Sequence, residues 1–460
     1  MLKAAALAPV LATVACSADG KQHASSPAAP ATSKRKPRNL LVILSDDQSK
    51  HDLGVYGNRD CKTPHLDRLA SEGLRCERAY TAVAVCQPSR SALYTGLFPH
   101  ANGATGFGPI RGDVATWPEL LNQAGVATAL IGKLDVDPIE KFPFEFLVKA
   151  KDMPSRRSPA VFEENFREFL GRVGERRFAA VIALVDPHRP FEEEAPAKPS
   201  TPLDQVIVPA FLWDTEGTRL ELAQYYDCVA RLDDSAGRLL ALLDERGLRG
   251  DTLVIFTSDN GASFPFAKST LYEAGVNMPF VANCPGFVER GRASDEYISL
   301  VDVLPTALDL FDIAPPSKLQ GLSLLPLLRG EKVHLRDSIV TTHTGNLGGD
   351  DYPVRSIREE RFKYIRNFAA DRPFVNNTVG HTATWTSGEE HSAFDAALAA
   401  RMKSLLYRPI DELYDLQNDP CELKNLASDA TQSATLARLQ AQLRKWMTDF
   451  GDPLLATWPA

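Results

Sequence analysis

Short, unbroken apolar runs recur along the chain, and four of them end in polar residues able to carry chemistry. "NLLVILSDD" runs into Asp46 and Asp47, "VATALIGK" into Lys133, "FAAVIALVDPH" into Asp186 and His188, and "DTLVIFTSDNG" into Asp259 and Asn260. Continuous apolar runs of this length fit strands covered on both faces, as in a parallel sheet with helices on each side. Helical patterns lie between them. One spans Thr63 to Gly73, with Thr63 as cap, Pro64 in the first turn and Gly73 at the end. Another carries Leu222, Tyr226, Val229, Ala236, Leu240 and Leu243 on one stripe, interrupted by Asp233. This alternation predicts an α/β domain. Ligands in open α/β sheets bind beyond the carboxyl ends of the strands, so the four polar ends can converge in one crevice. After about Arg336 the pattern changes: "RSIREERFKYIRNF" alternates, which predicts paired strands. "DELYDLQNDP" follows, and then a helix with Leu436, Leu439, Leu443 and Trp446 on one face.

The amino terminus differs from all of this. Met-Leu-Lys, the apolar run "AAALAPVLATVA" and Cys16 have the layout of an export signal over residues 1–18, too short to span a bilayer. Cys16 after Thr13-Val14-Ala15 is similar to a bacterial lipoprotein cleavage box, with Thr13 where that box usually has Leu; plain cleavage near Ala18 is the alternative. The expected location is the periplasm, or the cell envelope through a lipid on Cys16. Residues 19–37, rich in Ser, Ala, Pro and Lys, suit a flexible tether. No other segment is long and apolar enough to cross a membrane.

Of the 460 residues 44% are hydrophobic, enough for a large core, and the net charge of −8 argues against general binding of nucleic acid. An anionic substrate must therefore meet a local cationic pocket. The remaining cysteines, Cys61, Cys76, Cys86, Cys228, Cys284 and Cys421, show no CxxC and no zinc-like spacing; the pairing left open is Cys61 with Cys76.

One cysteine stands out by its context, "VAVCQPSRSALYTG", Val83 to Gly96. Pro88 suits a first helical turn, N–H groups at such a start attract anions, and Arg90 adds a fork suited to an oxyanion. Cys86 there reads either as a thiol of lowered pKa and raised reactivity or as a buried structural cysteine. The neighbours Asp46 and Asp47 repel each other unless a cation neutralises them. With Asp259 and the amide oxygen of Asn260 they form an all-oxygen set suited to Ca²⁺ or Mg²⁺ rather than zinc.

"NLLVILSDDQ", "TPHLDRLASEGLRCERAYT", "CQPSRSALYTG" and "LVIFTSDNGA", in that order, resemble the successive motifs of the sulfatase family in the alkaline-phosphatase-like superfamily. The resemblance continues through "DPHRPF", "KSTLYEAGVNMPFV", "SLVDVLPTALDL" and "ELYDLQNDPCELKNLA". "PLDQVIVPAFLWDTEGTRLELAQYYDCVARLD" and "YPVRSIREERFKYIRNF" are most similar to its heparan N-sulfatase branch. The resemblance implies a mixed, mostly parallel central sheet in a catalytic domain over residues 38–335. A smaller α+β subdomain, an antiparallel sheet with a terminal helix, would occupy 336–460. It further implies that Cys86 is oxidised by a sulfatase-maturing enzyme to formylglycine, whose hydrated aldehyde attacks sulfur and then releases sulfate. Asp46, Asp47, Asp259 and Asn260 would hold calcium, or alternatively magnesium, against Cys86. Arg90, Lys133 and Lys268 would grip oxygens, and His188 would protonate the leaving group. Many members carry histidine where this chain has Asp135; that carboxylate either keeps a base role or points away. Asp186, Arg189, His343 and Arg355 are expected saccharide contacts, the last two from the glycine-rich stretch "HTGNLGGDDYPVR". The implied reaction removes the N-sulfo group of glucosamine from heparan-type glycans. The alternatives are an O-sulfatase, a phosphate or phosphonate ester hydrolase, and a non-catalytic binder of sulfated glycans, which only Asp135 favours.

Overall fold

The computed structural model describes residues 35–194, 196, 198–345 and 351–458. The expected export signal, Cys16 and most of the expected tether lie outside the described residues, as does the middle of the glycine-rich stretch. At the described end of that tether Lys36 is held, its Nζ donating to the Asp309 carbonyl and to Asp312 Oδ1, each at 2.8 Å.

Eight strands form the main sheet: β1 (Asn39–Ser45), β2 (Leu74–Tyr80), β3 (Ala127–Gly132), β4 (Phe146–Lys149), β5 (Phe178–Ala183), β6 (Thr252–Ser258), β7 (Phe280–Asn283) and β8 (Arg292–Ser299). Their order is β4-β3-β5-β1-β6-β7-β2-β8, and only the pairings of β7 are antiparallel. The four apolar runs are β1, β3, β5 and β6, and every residue in them is buried. Side chains alternate between faces, so Leu40, Val42 and Leu44 feed one core while Leu41 and Ile43 feed the other.

Register explains why the polar ends converge. Leu44 lies opposite Ala183 on one side and Thr257 on the other, and Ala183 lies opposite Gly132. The four runs therefore stop at one level. At Gly132, whose φ is +118°, an added Cβ would stand 1.9 Å from the Ala183 carbonyl oxygen, so only glycine lets β3 deliver Lys133 there.

Leu222, Tyr226, Val229, Ala236 and Leu243 of the Glu216–Glu245 helix pack into the second core. Asp233, which breaks that stripe, accepts from the backbone N–H groups of His65 (3.1 Å) and Leu66 (2.8 Å). It thus caps the Pro64–Ser71 helix, the task expected of Thr63. Thr63 instead donates its hydroxyl to Asp67 Oδ1 at 3.1 Å. Gly73 serves close approach, since a Cβ there would meet the Ala282 carbonyl oxygen of β7 at 2.2 Å.

The second sheet contains β9 (Ile339–His343), β10 (Val354–Arg358), β11 (Phe362–Asn367) and β12 (Asp411–Asp415), all antiparallel in the order β12-β11-β10-β9. Leu439, Leu443 and Met447 of the Ser433–Asp449 helix pack against Val340, Ile357, Tyr364 and Leu413. Trp446, at the edge of the same cluster, also meets Phe98, 4.9 Å between ring centroids, and so ties this helix to the main domain. Two helices unforeseen in the sequence, Ala383–Ser392 and Ala396–Leu406, stand between β11 and β12. Cys61 and Cys76 are both free and buried, and they belong to cores on opposite faces of the main sheet, which rules out the bridge considered above.

Replacing Asp233 with Ala would leave one buried and one half-buried N–H donor without their partner, so Asp233→Ala is expected to cost about 2 kcal/mol in denaturant unfolding, and Asp233→Asn less.

Candidate active site

Every residue of the Cys86–Thr95 helix is buried, and its first residue faces the level at which the four strands end. Val85, in extended conformation, precedes it, so the Cys86 side chain enters the crevice from a helix amino terminus. Its Sγ lies 3.1 Å from Lys268 Nζ and 3.6 Å from Asp47 Oδ1. Lys268 Nζ also reaches Asp47 Oδ1 at 2.6 Å. Asn376, from the C-terminal part of the chain, donates to the Lys268 carbonyl at 2.9 Å, which braces that lysine's backbone.

Asp46, Asp47, Cys86 and His188 offer ligand atoms within 4.8 Å of one another. Both Asp46 oxygens and Asn260 Oδ1 are buried without a well-formed hydrogen bond, although Lys133 Nζ lies 2.6 Å from Asp46 Oδ2. Unsatisfied buried oxygens of this kind are what a hard divalent cation would engage, so the donor set fits such an ion. The Asn260 amide nitrogen donates to Asp47 Oδ1 at 2.7 Å, which leaves the amide oxygen as the free end. Asp259, expected as a ligand, is differently placed. Arg90 Nε and Nη2 each lie 2.8 Å from its Oδ2, and its Oδ1 accepts from the N–H groups of Asp47 and Asn260. Arg90 is fully buried and spends its fork on Asp259 and the Lys133 carbonyl.

The electrostatics follow from these contacts. Burial pushes the Asp46 carboxyl up, but the charges of Lys133, His188, Arg90 and Lys268 outweigh it and hold the group well below the usual range. Asp47 is lowered in the same way, burial being overcome by Lys268 and His188. At Asp259 burial and the nearby Asp46 charge win over Arg90 and raise the carboxyl to about 7. The Cys86 thiol moves opposite to the expectation from a helix terminus: burial raises it well above normal despite Lys133 and Lys268. As a thiol, Cys86 is protonated and a poor nucleophile. Burial also lowers His188, with Asp46 and Asp47 offsetting part of the effect. Its Nδ1 lies 2.5 Å from the Arg189 carbonyl, an acceptor, so Nδ1 carries the proton and Nε2 faces Asp47 Oδ2 at 3.7 Å.

Asp135 does not point away. Its Oδ2 stands 3.6 Å from Lys133 Nζ, and it lines a cavity of about 360 Å³ together with Asp46, Lys133, Lys149, Lys151, Arg156 and His188. Both Asp47 (φ +66°) and Asp135 (φ +46°) occupy the left-handed region, a cost borne where the crevice aims their carboxylates.

Three of the four expected saccharide contacts, Asp186, Arg189 and Arg355, hold internal partners, and the ring nitrogens of the fourth, His343, are buried without a hydrogen bond. Asp186 accepts from Arg231 Nε at 2.6 Å and from Arg157, and Arg157 also donates to the His188 carbonyl at 2.8 Å. Asp186 thereby anchors the loop that presents His188. Arg189 forks onto Glu221 at 2.6 and 2.9 Å and lies over Phe191. Arg355 pairs with the buried Asp452 and donates to the His343 carbonyl. His343 is itself 1% exposed, and burial, with Arg408 and Arg355, drives its pKa to about 3. Charged groups as deep as Asp186 and Arg355 must be paired internally, which removes them from the cleft rim.

Three groups escaped the sequence reading. Tyr225, the neighbour of the stripe residue Tyr226, places its hydroxyl 3.2 Å from the Asp47 carbonyl and 2.7 Å from Asp52 Oδ2. Asn376 has no spacing relation to Lys268. Lys149 and Lys151 alternate in "LVKAKD", a pattern indistinguishable from a solvated edge.

A cluster of buried acids balanced by three cations, at the carboxyl edge of a mostly parallel sheet, defines a hydrolase built to handle a small oxyanion. Comparison with known proteins narrows this. The Sulfatase family model matches residues 38–313, and a model described as N-sulphoglucosamine sulphohydrolase, C-terminal, matches 261–374. The chain is 34% identical to human N-sulphoglucosamine sulphohydrolase over 91% of its own length and 92% of that protein's. It is 30% identical to an ulvan-active sulfatase of Formosa agariphila over 96% and 87%. Its fold matches, with a TM-score of 0.71 at 20% identity over 91% of this chain and 99% of the other, a protein solved with its substrate D-glucosamine-2-N,6-O-disulfate. The chain belongs to the sulfatase family.

Because Asp46 and Asp47 are buried together, binding a divalent cation should stabilise the fold by mass action. Adding such a cation is expected to raise the melting temperature by a few degrees and a chelator to lower it. In Asp46→Asn the response should shrink.

Proposed function

We propose that this chain removes the N-sulfo group from glucosamine residues of heparan-type saccharides, after oxidation of Cys86 to formylglycine and with calcium in the acid cluster. The observation that carries the reading is the meeting of Cys86 with Lys268, Asp47 and His188 in one buried crevice, in a chain matched by the N-sulphoglucosamine sulphohydrolase C-terminal model. Asp46, Asp47 and Asn260 would hold the ion, with Asp259 beside them, and its chemistry is to draw negative charge from sulfate oxygens. Formylglycine at position 86 would supply a hydrated aldehyde where the thiol now stands.

The chain's own residues account for the rest. Lys268 and Lys133 are positioned over the crevice to stabilise charge on the transferred group and the leaving atom, more strongly as the bond breaks than before. Arg90 holds Asp259 and the helix that carries position 86 in fixed relation. His188, with Nδ1–H fixed by the Arg189 carbonyl, turns Nε2 toward Asp47; as the imidazolium it gives the Nε2 proton to the departing nitrogen and regains one from water. In net terms the S–N bond breaks, a water oxygen ends on sulfur, and water's protons go to the amine and to solvent. Residues 1–18 would direct export, with Cys16 as the alternative lipid anchor.

An O-sulfatase is the second reading, favoured by the similarity to the ulvan-active enzyme. Matured protein offered N-sulfoglucosamine, glucosamine 6-sulfate and a phosphate monoester is expected to release sulfate from nitrogen fastest. Turnover of the esters alone would remove the N-sulfo assignment. His188→Ala should lower kcat on the N-sulfo substrate by roughly 10²–10⁴-fold. Peptide mass spectrometry of active enzyme should show residue 86 lighter by the difference between a thiol and an aldehyde; an intact thiol would contradict the proposal.

A further inference from the structure

The cavity above Asp46 and His188 continues outward along the sheet, and its outer wall is cationic. The order β4-β3-β5-β1 sets the carboxyl ends in a row: Asp46 and Asp47 after β1, His188 after β5, Lys133 and Asp135 after β3, and Lys149 at the end of edge strand β4. Lys149 lies opposite Gly132 in register, level with the residue that precedes Lys133. Lys151 follows on the short turn Ala150–Asp152, and both lysines line the cavity that holds Asp46 and His188. Three strand spacings separate β1 from β4, roughly 14 Å, a span that exceeds one sulfate group and leaves room for a sugar between the acids and the lysines.

The lysines differ from every other cation near the crevice in having no partner. Arg90 holds Asp259, Lys133 holds Asp46, Lys268 holds Asp47, and Arg156, on the same cavity wall, is forked onto Glu193. Among the described residues neither the Lys149 nor the Lys151 ammonium group makes a hydrogen bond or ion pair. In a chain of net charge −8, two adjacent unpaired ammonium groups facing a cavity are a local departure from the surrounding field. Leu134, Val136 and Ile139 supply an apolar wall beside them, suited to the C–H face of a sugar ring.

We propose that Lys149 and Lys151 bind a second anionic group of the substrate, a sulfate or carboxylate carried one sugar's reach from the group being hydrolysed. The substrate class is then a saccharide with at least two negative charges, read at two points. This rests on the reading of the crevice as a saccharide sulfatase site and adds the determinant of charge pattern to it. Asp135, between the two anion positions and 3.6 Å from Lys133, keeps the intervening stretch unfavourable to anions, so the two charges are held apart.

The test measures binding in a full-length Cys86→Ala chain loaded with calcium, which cannot turn over. Three ligands are compared by calorimetry: N-sulfoglucosamine, N,6-O-disulfoglucosamine, and a disaccharide joining N-sulfoglucosamine to a uronic acid. At least one doubly charged ligand is expected to bind roughly ten-fold more tightly than the singly charged one, a preference that fades with added salt. Which of the two does so identifies whether the second charge sits on the same ring or its neighbour. Lys149→Ala/Lys151→Ala should abolish the preference and Lys149→Arg/Lys151→Arg should retain it. Equal binding of all three ligands, or a preference that survives the double Ala variant, would overturn the proposal. Turnover of N-sulfoglucosamine by the matured enzyme is scored separately. Binding through the lysines without release of sulfate from nitrogen would sink the N-sulfo assignment and keep the rim, whereas turnover without the preference would do the reverse.

Discussion

Three carboxylates lie side by side at the bottom of this fold with almost no contact with water, and the rest of the architecture around the crevice serves to make that tolerable. Asp46, Asp47 and Asp259 are each at most 1% exposed. Isolated buried charges cost several kcal/mol each, so every one is met by a cation delivered from a different part of the chain. Lys133 comes from β3, Arg90 from the Cys86–Thr95 helix, and Lys268 from the loop after β6. The parallel register brings these segments to one level, and Gly132 lets β3 approach closely enough to contribute. Fold and site are therefore one problem: the sheet supplies a place where opposite charges can be stacked, and the charges make that edge of the sheet chemically competent.

The outer ring of interactions is less visible but serves the same end. Asp186 and Arg157 fix the loop that turns His188 inward, while Arg189 is spent on Glu221. Glu221 in turn accepts from the Ala383 and Thr384 N–H groups at 3.0 and 3.1 Å, anchoring a helix from the second half of the chain. Asn376 completes the link by bracing Lys268. The smaller sheet and its helices thus hold two of the groups around the reacting position without touching it themselves.

The main strands and the convergence of their ends were legible because full burial leaves an unbroken apolar run, and parallel sheets bind at their carboxyl edge. Asp46, Asp47, Cys86, Lys133, His188 and Lys268 meet as the motifs implied. Other features were hidden for physical reasons. A charged residue in a motif does not announce whether it faces ligand or protein, so Asp186, Arg189 and Arg355 looked like substrate contacts although they are paired with Arg231, Glu221 and Asp452, and His343 is buried away from solvent. Asp233 read as a break in an apolar stripe because its role, capping a helix more than 160 positions away, exists only in three dimensions. The state of the Cys86 thiol was left open for the same reason: helix-terminus and cationic effects are readable from neighbours, while depth of burial, which wins here, is not.

Depth also imposes an order of events on the protein's life. Cys86 is 3% exposed and begins a helix with no accessible residue, so no second protein can grasp that segment once the chain has closed around it. On the function proposed above, the catalyst that converts the side chain would have to work on an extended stretch of polypeptide, before the β1 and β6 acids arrive. On that same function, a molecule that closed too early would be sealed in its inert form, and the proportion of competent enzyme would be a race between tailoring and collapse rather than a property of the finished fold.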